Sequence, residues 1–135
     1  MLEISRAALD AIRAEAAASP DAEVCGLLLG EGLRVGRAVA CRNVADDPAT
    51  AFEIDPAQLI AAHRAARDGG PGVIGHYHSH PSGDAALSAR DMAAARHDEI
   101  WVIVGGGRTT AWLAFEAEAG QMDFIPLDLP SSPRP

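Results

Sequence analysis

Apolar positions after Ser5 recur at helical spacing. Leu9, Ile12 and Ala16 fall on one stripe, and Ser5 can cap a helix running from about Arg6 to Ala18, which Pro20-Asp21 ends. The pattern then changes period. Val24 to Gly30 is a short apolar run that reads as a buried strand, Glu31-Gly32 as a turn, and Leu33 to Val44 alternates as a second strand. A loop at Asp46-Asp47-Pro48 leads to a short strand predicted over Ala51–Ile54. Asp55-Pro56-Ala57-Gln58 offers an N-cap, a proline at the first helical position and a Gln three residues after the cap, predicting a helix to about Arg67 that Gly69-Gly70-Pro71-Gly72 stops. Val73 to His80 follows as a strand, Pro81 to Leu87 as a loop and Ser88 to Arg96 as a short helix. Ile100 to Val104 and Thr109 to Phe115 read as a hairpin around Gly105-Gly106-Gly107, and Gln121 to Leu127 as a last strand. Strands with interspersed helices and hairpin-like links predict an α/β domain over residues 1–129, with a mixed, largely antiparallel sheet flanked by helices. The Pro/Ser-rich residues 130–135 read as a flexible tail.

Composition narrows the function. The 135 residues, 48% of them apolar, suffice for one domain with a real core. No apolar run reaches the roughly 18 residues of a membrane span. Met1-Leu2-Glu3-Ile4-Ser5-Arg6 lacks the basic-then-apolar order of a signal peptide, so a cytoplasmic protein is expected. A net charge of −8 argues against a nucleic-acid backbone as partner. The two cysteines, Cys25 and Cys41, are too few for a disulfide framework and read as buried thiols. Gly105-Gly106-Gly107-Arg108 has no following Gly-Lys-Ser/Thr and is better explained as a turn than as a phosphate loop. Trp101 and Trp112 read as core or strand-pair residues.

The chemistry concentrates in Gly75-His76-Tyr77-His78-Ser79-His80-Pro81 and Leu87-Ser88-Ala89-Arg90-Asp91. Residues two apart on a strand share a face, so His78 and His80 can present imidazoles side by side. Asp91, in the first turn of the following helix, is placed to add a carboxylate. Two imidazoles and one carboxylate leave a fourth zinc position open, as a catalytic site requires. Glu23, just before the buried strand, is the candidate general base. Taken singly, each feature has an ordinary explanation. Ser88-x-x-Asp91 is also a capping pattern; alternating histidines can line a polar sheet face; Glu23 alone is an unremarkable acid. His76 shares the face of His78 and His80 and offers a rival ligand set, although three ligands from one straight strand span too far for one ion. His63 and His97 read as surface or packed residues.

Together the positions are specific. Glu23 before Cys25-Gly26-Leu27-Leu28-Leu29-Gly30, then His78-x-His80, seven residues, Ser88, two residues and Asp91, resembles the JAMM (MPN+) metallopeptidase signature of a distant Glu followed by H-x-H-x7-S-x2-D. The resemblance implies a JAMM/MPN-like fold with His78, His80 and Asp91 as zinc ligands, Glu23 as base, and Ser88 as a donor to the developing oxyanion. Such proteins hydrolyse peptide or isopeptide bonds, notably after the C-terminal Gly-Gly of ubiquitin-like proteins, and small prokaryotic members are linked to ubiquitin-like sulfur carriers. The expected activity is therefore zinc-dependent cleavage of an amide after such a carrier's C-terminus. Two other readings compete: a zinc amidase acting on a small molecule, and a non-catalytic MPN-type scaffold, which tends to lose the ligands retained here. His80-Pro81-Ser82-Gly83-Asp84 is also similar to RadC-type proteins; this chain lacks their additional helical module, and its acidity disfavours DNA.

Overall fold

A computed structural model describes residues 1–81, 83 and 85–129. The Pro/Ser-rich 130–135 segment lies outside the described residues. Seven strands form one sheet: β1 (Glu3–Ile4), β2 (Cys25–Glu31), β3 (Arg34–Cys41), β4 (Gly72–His80), β5 (Glu99–Gly105), β6 (Arg108–Glu116) and β7 (Met122–Leu127), in the order β1-β3-β2-β4-β5-β6-β7. Among the described residues only β1–β3 and β4–β5 pair in parallel; the remaining ladders are antiparallel. The α/β expectation with a mixed, largely antiparallel sheet is met.

The helices begin where their caps dictate. In α1 (Arg6–Ala17) the Ser5 hydroxyl accepts from the Ala8 N–H, and Ala8, Leu9 and Ile12 are buried. In α2 (Pro56–Arg67) the Asp55 carboxylate accepts from the Ala57 N–H with Pro56 at the first turn. Gln58 does not close a capping box there; its Oε1 accepts from the Arg42 N–H at 2.7 Å and ties the helix to the end of β3. The third helix, α3 (Ala89–Ala94), is shorter than the Ser88–Arg96 expectation, because Ala95 is already extended. It lies in the crossover that the parallel pairing of β4 and β5 demands.

The predicted strand over 51–54 is a loop touching the sheet by a single bridge, Asn43 to Ile54. The Asn43 side chain takes the Ala51 carbonyl and the Glu53 N–H that a ladder would have used. The two-residue β1 carries too few positions to show alternation in the sequence. Around the glycine turn, Gly105 pairs with Arg108 while Gly106 and Gly107 have φ of 58° and 76°, the left-handed values that a tight hairpin needs. Trp101 and Trp112 are register partners on β5 and β6.

The sheet separates two apolar layers. Ile12, Leu28, Tyr77, Ile100 and Val102 pack on the α1 side; Trp101, Ile103, Ala114 and Ala85 pack on the other. Alternation along β5 accounts for the division. At Gly75, the register partner of Ile100 on β5, a Cβ would strike the Ile100 carbonyl, a backbone group that cannot swing aside. Gly75→Ala is expected to lower unfolding stability by about 2–3 kcal/mol through overpacking, read as a fall in the urea midpoint at unchanged slope.

Candidate metal centre and active site

The site stands at the C-terminal end of β4. His78 is fully buried and His80 partly buried, and their Nε2 atoms are 3.1 Å apart. The loop after β4 returns at Ser88, whose hydroxyl accepts from the Asp91 N–H while Asp91 Oδ2 accepts from the Ser88 N–H, both at 3.0 Å. This capping box fixes the carboxylate against the histidines: His78 Nε2 is 3.1 Å from Asp91 Oδ1, and His80 Nε2 is 3.2 Å from Oδ2. Capping and proximity to the imidazoles, alternatives in the sequence, coexist at Asp91.

Those separations test the fit to a metal. Four ligands at 2.0–2.1 Å around a tetrahedral ion lie about 3.3 Å from one another. The His78–His80 separation of 3.1 Å is of that size, and so are the contacts of 3.1 and 3.2 Å that the two oxygens of Asp91 make, one with each imidazole. Glu23, 7% exposed, brings a second carboxylate: one oxygen lies within 4.8 Å of donor atoms of both His78 and His80. Its place follows from the backbone. Val24, the next residue, donates its N–H to Ser79 Oγ at 2.9 Å, and Ser79 returns its N–H to the Val24 carbonyl, so the chain beside Glu23 is pinned to the residue between the two histidines.

All five expected residues therefore gather at one place. Ser88 is exposed and lines, with Glu23, Phe52, His76, Asp91 and Glu99, a cavity of about 930 Å³. The rival His76/His78/His80 set is not assembled: His76 Nε2 turns to Glu99 Oε1 at 3.7 Å, and that oxygen also accepts from the Trp101 indole at 2.8 Å. His63 and His97 are exposed; His97 Nδ1 accepts from the Glu116 N–H. Cys25 and Cys41 are register partners on β2 and β3, free and buried. Burial foremost, with Cys41 and nearby acids adding, pushes the Cys25 thiol up to about 12, far from a reactive thiolate. Sequence reasoning missed Phe52, which stacks on His78 with ring centroids 4.3 Å apart and planes at 19°. No periodicity points to a loop aromatic; only the failure of 51–54 to alternate convincingly as a strand could have hinted at it.

Burial drives the His78 imidazolium down to about 4, overcoming the Asp91 carboxylate that favours the charge. The Asp91 carboxyl lies well below its ordinary value; burial pushes it up, but hydrogen bonds with His78, His80 and the Ser88 N–H prevail. A neutral imidazole beside an ionised carboxylate is the state that a metal requires. Below pH 6.5 the unfolded chain protonates His78 while the folded chain does not until about pH 4. The metal-free protein should thus lose stability as pH falls from 6.5 to 4, by up to about 1.4 kcal/mol per pH unit. Urea titrations in chelator across that window check it; a flat midpoint would contradict the buried neutral histidine.

The chain is similar to several known proteins. Residues 5–118 match the family described as prokaryotic homologues of the JAB domain. A desampylase of Haloferax volcanii is 40% identical over 85 residues, covering 62% of this chain and 61% of that protein. A Thermus thermophilus protein named "Probable TtuB-protein conjugate cleaving protease" is 34% identical over 118 residues, 87% of this chain and 79% of the relative. A desampylase of Pyrococcus furiosus is 34% identical over 100 residues, 73% of this chain and 71% of the relative. The solution structure of protein DSY2949 from Desulfitobacterium hafniense superposes with a TM-score of 0.72 at 24% identity, covering 93% of this chain and 90% of that one, which shows the common fold. No helix among the described residues is long and apolar enough to cross a membrane. With most of its length matched and a donor cluster able to hold a metal ion, the chain belongs to the prokaryotic JAB family of JAMM-type, metal-dependent hydrolases.

Proposed function

We propose that this chain is a zinc isopeptidase that hydrolyses an amide bond after the C-terminal Gly-Gly of a ubiquitin-like or sulfur-carrier protein. The observation that carries the reading is the cluster of two imidazoles and two carboxylates: His78 and His80 with Nε2 atoms 3.1 Å apart, Asp91 with one oxygen on each of them at 3.1 and 3.2 Å, and Glu23 within reach of both. In this reading His78, His80 and Asp91 hold the ion, Glu23 is the base and Ser88 the oxyanion donor. Zinc bound there supplies a Lewis acid that acidifies a water and polarises the scissile carbonyl. Glu23 takes the water's proton and passes it to the leaving amine. The Ser88 hydroxyl hydrogen, left over while its oxygen accepts from the Asp91 N–H, donates to the developing oxyanion. We place the working domain over residues 1–129 and the chain in the cytoplasm, where two buried thiols stay reduced.

Relatives named as desampylases and as a TtuB-protein conjugate cleaving protease support a carrier conjugate as substrate. An extended Gly-Gly tail entering the cavity lined by Glu23, Phe52, Ser88 and Asp91 would bring its last carbonyl to these residues. The test is a panel of Gly-Gly-ending carrier fusions incubated with zinc-loaded protein, run against small acyl amides. Cleavage after Gly-Gly that chelator abolishes is expected. An intact panel with hydrolysed small amides would move the assignment to a small-molecule amidase, and inertness to both would leave a scaffold.

A further inference from the structure

Asn43, just past β3, does more than intercept the backbone of 51–54. Its amide has two N–H donors and two acceptor lone pairs, and the structure occupies all four. Nδ2 donates to the Glu23 carbonyl and to the Ala51 carbonyl, each at 3.0 Å. Oδ1 accepts from the Ala45 and Glu53 N–H groups, each at 3.0 Å. The Ala51 and Glu53 partners flank Phe52 on either side, so one side chain grips the backbone both before and after the ring that stacks on His78. The other donor grips Glu23 itself, whose N–H is held from the same loop by the Pro48 carbonyl at 2.7 Å. A side chain that only shaped its own loop would have no reason to reach the Glu23 carbonyl, 20 positions away.

The need for such a grip is visible at His78. Metal-bound histidines are commonly oriented by a hydrogen bond from the ring nitrogen facing away from the metal. Among the described residues His78 Nδ1 meets no such partner. Its ring is confined by contacts instead: Phe52 over one face and the edge of Trp101 at 5.8 Å. Trp101 is fully buried in a central strand, whereas Phe52 sits on a loop with a single bridge to the sheet, so its placement depends on what anchors that loop.

We infer that Asn43 is a positioning residue that locks Glu23 and the Phe52 cover of His78 into one unit, so that base and ligand keep a fixed relation. The inference rests on the reading of Glu23 as base and His78 as ligand. Asn43→Asp retains size and acceptors but turns a carboxylate oxygen on the Glu23 and Ala51 carbonyls, releasing both. Displacement of a reacting group by about 1 Å costs up to roughly 100-fold in rate, and loss of an outer-shell support costs about tenfold or more in metal affinity.

The experiment compares wild type, Asn43→Asp, Phe52→Ala and the double variant, each full length. It reads zinc affinity by competition with a chromophoric chelator, and kcat and KM at saturating zinc on a Gly-Gly carrier fusion. Asn43→Asp is expected to lower kcat roughly 10- to 100-fold with KM within about threefold, and to weaken zinc about tenfold, as Phe52→Ala does. The double variant should weaken zinc no more than the worse single one, because both act through the same ring. A merely structural role lowers the melting temperature but leaves kcat and zinc affinity of the folded protein unchanged. That result, or zinc losses that multiply, overturns the inference. If Asn43→Asp does not fold, Asn43→Ser, with one hydroxyl donor for two carbonyls, is read by the same criteria. Wild type that binds zinc without cutting the fusion overturns the substrate assignment and leaves the affinity comparison to decide on Asn43. Wild type that binds no zinc overturns both.

Discussion

Elemental analysis of purified Asp91→Ala should find essentially no zinc where wild type carries about one ion per chain, and the variant should be inactive. The effect is expected to be large because one carboxylate contacts both imidazoles, through Oδ1 to His78 and Oδ2 to His80. Its loss also removes half of the capping box at α3, since Asp91 Oδ2 is the acceptor for the Ser88 N–H, at a cost of about 1 kcal/mol in stability. Asp91→Asn separates these contributions. It keeps an acceptor for the Ser88 N–H and removes the charge, so it should retain α3 while binding zinc far more weakly. Full zinc occupancy in Asp91→Ala would transfer the third corner to Glu23, whose carboxylate also lies within reach of both histidines.

The second large effect is expected from Glu23→Gln. The amide preserves shape and leaves His78, His80 and Asp91 untouched, so zinc content should equal that of wild type. Turnover of a carrier fusion should fall by roughly 10²- to 10⁴-fold, the worth of a positioned general base, mostly in kcat rather than KM. Stability should change little, because the backbone of Glu23 is held through its own N–H and carbonyl, which the substitution does not touch. Undiminished turnover would remove Glu23 from the proton path. Loss of zinc would make it a ligand instead.

The sequence carried the site further than it carried the fold. His78 and His80 share a face because strand period is two, and Asp91 meets them because Ser88 starts a helix; both follow from local rules readable without a structure. The caps Ser5 and Asp55 placed α1 and α2 for the same reason. What escaped was set by long-range contact. Gln58 looked like the second half of a capping box, but the Arg42 N–H at the end of β3 claims it. The 51–54 segment looked like a strand, but Asn43 intercepts its backbone groups. The parallel alignment of β4 with β5, and the pairing of β2 with β4 that brings Glu23 to the histidines, leave no periodic trace in either strand. His76 shows the limit most plainly. It repeats the two-residue spacing of the proposed ligands, yet Glu99, 3.7 Å from its Nε2, and the Trp101 ring, both from a distant stretch of chain, hold it instead.

The spread of the site along the chain has a consequence for biosynthesis. The three proposed ligands lie within the 14 residues from His78 to Asp91, a loop whose closure costs little entropy. The proposed base joins them only through a contact such as that of Val24 with Ser79, 55 positions apart, and long-range pairing of this kind is slow to form. On the proposed roles, ion capture and peptidase competence would therefore be separate events as the chain leaves the ribosome. The first needs a short segment near residue 80. On the proposed roles, the second waits until the strand behind Glu23 has found its partner, so a chain already able to hold an ion would still lack its base.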